Sequence, residues 1–256
     1  MILISFRLFR NLLWSSFYFF FNPEEIMTTA RIQFISPRRA YALIARQSDF
    51  FRRFCPADWH ARGVHNLPDY LSRIQTDCLG SFSRAQSTKL EKCIARVCRQ
   101  WNTDPIPLDW FDSERAALMP WNVAAVTSDA YENGFPHTLD DTIMMPVDIV
   151  DAYSCSELCR LLKHEQTHIY QRQFPADVKR FLRQNGFRRW KRHTRRDGVR
   201  ANPDTDGWLY ERRGERFSFP YRTRVRSLHS VDRVPGRSHP RFEHPFEWMA
   251  YLVESF

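Results

Sequence analysis

The sequence predicts an α+β fold with a mainly helical N-terminal part, a small sheet and one long helix that carries the chemistry. Three observations lead there. Residues 32–101 show apolar spacing that suggests short helices. Two apolar runs, at 123–127 and 142–145, read as strands. After them, Ser154 and Glu157 form a capping-box pattern ahead of Leu158, Leu161, Leu162, Glu165, His168 and Ile169 at helical spacing.

Each segment has its own signal. Arg7 and Arg10 precede an aromatic-rich stretch at 12–21, which has the look of a short signal or anchor segment but is too short for a confident span. Met27 opens more ordinary sequence, so residues 1–26 read as a targeting segment or an extension outside the functional domain. Residues 27–105 form a helical region, with helices expected at 39–54 and 87–99 and breaks at Pro56, Pro68 and Gly80. A proline-marked link at 106–112 opens the second region, 106–256. Within it, residues 133–138 read as a turn or extended loop between the two strands, and Pro175 marks the end of the long helix. An insertion at 186–240 follows, dense in arginine, with turns at Asn202-Pro203-Asp204 and Asp206-Gly207. Phe246, Met249, Ala250 and Val253 restore helical character at 245–256.

Composition narrows the class. Of the 256 residues, 43% are hydrophobic and 26% charged, which is globular rather than disordered or spanning. A net charge of +9 would attract nucleic acid, an anionic membrane surface or acidic substrates. The six cysteines read as free thiols in a reducing compartment, because a chain this long needs no disulfide staples. Cys155 and Cys159 are expected as small buried hydrophobes, and Cys93 and Cys98 have no matching second pair for a zinc site. A cytoplasmic or virion location is expected, with membrane association or secretion if residues 1–26 are a targeting segment.

The long helix contains His164-Glu165-Gln166-Thr167-His168. Histidines four apart project from one helical face and can share a zinc ion, with Glu165 placed to activate the metal's water. A catalytic zinc needs a third protein ligand. Glu247 leads, since it follows Pro245 in the first turn of the last helix, where the dipole favours a carboxylate. Glu254 is the alternative, and Glu243 and Glu211 rank below it. Tyr210, His229, His244 and Tyr251 are candidates to stabilise an oxyanion, and His137 and Thr138 to line a cleft.

These residues resemble the zincin superfamily of metallopeptidases. The metzincin continuation is absent, because Gln171 stands at its glycine position and Phe174 at its third histidine position. Glu247-Trp248-Met249-Ala250 is instead similar to the Glu-x-x-Ala run of the gluzincin branch, while Tyr251 stands where other members carry aspartate. His164-Glu165, His168, Tyr170, Gln171 and Arg172 also look similar to metallopeptidases encoded by large DNA viruses. The resemblance implies a zincin-like catalytic domain hydrolysing peptide bonds with Zn2+ held by His164, His168 and Glu247. It also implies an edge strand at 136–146 that could take up an extended peptide or protein substrate.

A different class competes with it. Arg188, Arg189, Trp190, Lys191, Arg192, Arg195 and Arg196 form a basic patch with an interleaved aromatic. Such a patch suits a nucleic-acid-binding or virion structural protein whose zinc site is structural or vestigial.

Overall fold

The computed structural model describes residues 30–127, 130–232 and 239–256. The expectation for residues 1–26 lies outside the described residues. The fold is α+β, with a helical N-terminal region and two small sheets.

The first sheet has the order β1 (Ile32–Ile35), β2 (Trp121–Val126), β4 (Thr142–Pro146), β3 (His137–Leu139). The first three strands are parallel, and β3 runs antiparallel to β4 at the edge. Every residue of β2, β3 and β4 is buried. The sheet is covered on both faces, as parallel sheets usually are, and its strands therefore read as continuous apolar runs. Strand alternation divides the core in two. Trp121, Val123, Ile143 and Met145 face one cluster with the later helices, and Ala124, Val126 and Met144 face another with the N-terminal helices.

On the N-terminal side lie α1 (Pro37–Ala45), α2 (Ser48–Phe51), α3 (Pro56–Ala61) and α4 (Leu67–Arg73). The single helix expected at 39–54 is thus broken between Ala45 and Ser48, with Gln47 in a non-helical conformation. Strand β1 was not anticipated. On the other side α5 (Arg84–Thr103) spans the helix expected at 87–99, followed by the short α6 (Ser113–Ala117) and α7 (Val147–Ala152).

The motif helix is α8 (Cys155–Gln173). Its start is fixed reciprocally: Glu157 N–H donates to Ser154 Oγ at 3.3 Å, and Ser154 N–H to Glu157 Oε2 at 2.8 Å. Phe174 caps its end, and Pro175 opens α9 (Pro175–Gln184). From Leu162 to Gln171 every residue is buried, including Lys163, His164, Glu165, Gln166, Thr167 and His168. Buried polar groups require partners. That requirement singles out this stretch within the fold.

The expected insertion at 186–240 contains a second, antiparallel sheet: β5 (Phe187–Arg192), β6 (Trp208–Arg212) and β7 (Glu215–Phe217). A two-residue turn joins the last two, with Arg213 at φ 53° and Gly214 at φ 80°, the left-handed backbone that tight hairpins need. The chain then returns through α10 (Pro245–Glu254), which packs against α8. Among the described residues no helix is long and apolar enough to cross a membrane.

Candidate metal centre

Two helices far apart in sequence build the site. One helical turn separates His164 from His168 on α8, so both rings leave the same face. Their Nε2 atoms lie 3.1 Å apart. In the first turn of α10, Glu247 brings its carboxylate 3.3 Å from Nε2 of His164 and 3.8 Å from Nε2 of His168. All three side chains are buried. A tetrahedral zinc site with bonds near 2.1 Å has ligand atoms about 3.4 Å apart. The three donors therefore already stand at the spacing that one ion would impose, and they fit it.

The outer ring nitrogens are equally defined. His164 Nδ1 lies 3.1 Å from Glu254 Oε2, a carboxylate that can only accept when ionised. His168 Nδ1 lies 3.0 Å from Gln171 Oε1, and the amide of Gln171 donates in turn to the Phe246 carbonyl at 2.8 Å. Both Nδ1 atoms therefore carry protons, and each ring turns Nε2 toward the shared centre. Asn202 Nδ2 donates to Glu247 Oε1 at 2.8 Å and holds the third donor. Without an ion these groups compensate one another. Burial opposes the charged form of His164, but its bonds to Glu247 and Glu254 prevail and hold its pKa well above the usual range. Burial likewise opposes ionisation of Glu247, yet His168, His164 and Asn202 pull it down to about 2.

Glu165 differs from the three donors. Its Oε2 is buried and has no hydrogen-bond partner. Burial first, then the negative charges of Asp204 and Glu247, push its pKa well above the ordinary carboxylate range. It opens on a cavity of about 380 Å³ whose walls include His164, Glu247, Tyr251 and Asp204.

The remaining expected residues separate into two groups. His137 lines the cavity and is fixed by Tyr131 and the Phe135 carbonyl. Tyr251 also lines it, with its ring 4.5 Å from that of His164. Glu254 and Glu243 reach the wall too, but as supports: Glu254 orients His164, and Glu243 pairs with Arg200 at 2.6 Å. Elsewhere stand the other four. Tyr210 is turned to Asp206 and Arg189. His244 caps α10, accepting from Phe246 N–H, and its other nitrogen meets the Trp208 carbonyl. Glu211 pairs with Arg188 on the second sheet. His229 is exposed on a turn, its ring 4.4 Å from Phe135. Tyr210 and His244 are thus held in structural bonds outside the cavity, which removes them as oxyanion candidates.

Thr138 also requires correction. Its backbone N–H donates to Asp204 at 2.9 Å, and its carbonyl accepts from Arg172 at 3.1 Å. Its hydroxyl is bonded to Asp204 as well. At its centre, the edge of β3 is already occupied, so it does not offer a free edge for an added peptide strand. Asp204, Asn202 and Arg172 were not anticipated as site residues. The Asn-Pro-Asp turn was visible, but its destination was not.

The basic patch lies apart, on the exposed face of β5 and the turn after it. Arg188, Arg189 and Lys191 meet Glu211, Asp206 and Asp197. Trp190 is covered by Arg216, and Arg192 lies 4.2 Å over the Trp208 ring.

No family model matches the chain, and neither a curated protein nor a solved structure matches it. What the geometry itself supplies is a potential metal-coordinating cluster of His164, His168 and Glu247.

Proposed function

We propose that this chain is a zinc-dependent peptide hydrolase of the zincin type, with His164, His168 and Glu247 as metal ligands and Glu165 as the proton-transfer residue. One observation carries the reading: three converging donors adjoin a buried carboxylate whose Oε2 has no partner and which opens on a cavity. A structural zinc site has no use for such a carboxylate. An unpartnered buried acid costs about 1–3 kcal/mol or more, a strain that persists where function requires it.

Zinc bound there would acidify its water and polarise a carbonyl. The protein's own groups account for the rest. Glu165, buried beside the three donors with an unpartnered Oε2, takes a proton from water and returns it to the departing amine. Tyr251 and His137 line the same cavity. With the β3 edge engaged at Thr138, the proposed substrate does not add a strand there.

The test is a peptide-library cleavage assay with elemental analysis of wild type and Glu165→Gln. Wild type should hold zinc and cleave, and the variant should hold zinc and lose about 10²–10⁴ in rate. Full activity in the variant would overturn the assignment. Zinc without cleavage in wild type would leave a metal-binding structural protein. An anionic partner on the β5 face is a separate proposal. Salt-sensitive binding of nucleic acid, weakened by replacing Arg192, Arg195 and Arg196, would support it.

A further inference from the structure

Three sulfurs converge where α5 meets the first two turns of α8. Cys93, on α5, is wholly buried, Cys155 is exposed at the start of α8, and Cys159 follows it by one turn on the same face. Their Sγ atoms all lie within 4.8 Å of one another, and those of Cys93 and Cys155 are 3.0 Å apart. The sequence expectation treated Cys155 and Cys159 as packing residues and grouped Cys93 with Cys98. Helix packing selects a different set.

We propose that Cys93, Cys155 and Cys159 form a second cation site, for a thiophilic d10 ion such as Zn2+ or Cu+, that clamps α5 to the head of α8. The donor chemistry decides the class. All three donors are sulfur, and soft thiolates select such ions over calcium or magnesium, which need oxygen. Zinc–sulfur bonds near 2.3 Å place sulfurs about 3.8 Å apart, so small shifts within the observed cluster seat an ion. Exposure of Cys155 supplies the entry path and room for a water or an external ligand. A single disulfide would use two of the sulfurs and leave the third idle beside them. Cys159 precedes His164 by five residues, about 7.5 Å along the helix and turned roughly 140° around it. The site is therefore distinct from the His164–His168–Glu247 centre and does not depend on the function proposed for it.

The experiment uses the full chain, reduced, stripped of metal and titrated anaerobically with Zn2+, with Cu+ and with Cd2+ as a spectroscopic probe. A His164→Ala/His168→Ala variant should still take up one ion and show thiolate-to-cadmium charge-transfer absorption. Cys155→Ser/Cys159→Ser should lose that ion and that band while keeping the histidine-bound ion. Saturation by zinc alone or by copper alone supports the site and identifies its ion. Cys155→Ser by itself, a change at an exposed residue, should weaken the site at least tenfold without unfolding the chain, checked by circular dichroism. The proposal is overturned if the histidine variant binds no ion, binds one without the sulfur band, or if Cys155→Ser binds as tightly as wild type. A Cys93–Cys155 bridge in peptide maps, with no ion uptake after reduction, would overturn it as well.

Discussion

Glu132 and Glu165 are buried glutamates on the walls of one cavity, and the fold treats them in opposite ways. Glu132 accepts from Arg62 through both oxygens, at 2.7 and 2.6 Å, and from the Tyr70 hydroxyl at 2.5 Å. Burial would raise its pKa, but the Arg62 guanidinium outweighs burial and holds it below the usual range. Arg62 is shared with Asp58 at 3.0 Å, which closes a buried three-charge network. Glu165 has the same burial and, at Oε2, no partner. A carboxylate that supports the fold is saturated with donors. The one proposed to exchange a proton is left short of them.

The sharpest challenge to that contrast is Arg62→Met. It leaves Glu132 and Asp58 as uncompensated buried charges and should cost about 3–5 kcal/mol in denaturant unfolding. A loss below about 1 kcal/mol would mean that the network contributes no stability.

His193 tests whether lack of a partner alone has a cost away from the metal centre. Its Nε2 is buried and unpartnered, and burial, then the charge of Arg53, lower its pKa from 6.5 to about 4. Between those values the unfolded chain takes a proton that the folded chain refuses. Stability should therefore fall as pH drops from about 6.5 to 4, by on the order of 3 kcal/mol. His193→Phe should flatten that part of the stability profile, and an unchanged slope would reject the assignment.

Glu254→Gln probes a carboxylate that lies between the two extremes. It replaces the acceptor on His164 Nδ1 by a weaker one and should reduce zinc affinity about 10–100-fold, or about 1.4–2.7 kcal/mol, in a chelator competition. No change would show that His164 is oriented by packing alone. The smallest effect belongs to Glu165→Gln in the metal-free protein. Replacing a buried carboxyl whose charged form is already disfavoured should leave unfolding free energy within about 1 kcal/mol of wild type. A loss as large as that of Arg62→Met would erase the distinction between the two glutamates.

What sequence reading captured was mostly local. The Ser154–Glu157 cap, the strands near 123 and 142, and the His164/His168 face all follow from spacings of four residues or fewer. Glu247 followed from chemical need: a zinc site required an acid downstream. What escaped depended on distant partners. β1 is only four residues long and becomes a strand by pairing with β2, nearly ninety positions away. β5 carries Arg-Arg-Trp-Lys-Arg, and only Phe187 of its six residues is buried. Its strand character comes from the ladder with β6, not from its own pattern. Arg213-Gly214 was the missed hairpin signal. Glu254 had a signal as well, since seven residues after Glu247 is the same face of α10. Its role, however, depends on where α8 lies. The three cysteines could not be grouped without knowing that α5 packs on α8.

The position of Glu247 has a consequence for how the protein comes together. Two candidate ligands sit on one turn of α8, but the third arrives from α10, about 80 residues later, so an ion held by all three would cross-link the ends of a long loop. Most of its constraint therefore falls on α10, since α8 keeps its own cap and its seat against α5. Chelation should thus loosen the chain unevenly. Amides of α10 would exchange first, while those of α8 and the parallel strands keep their protection.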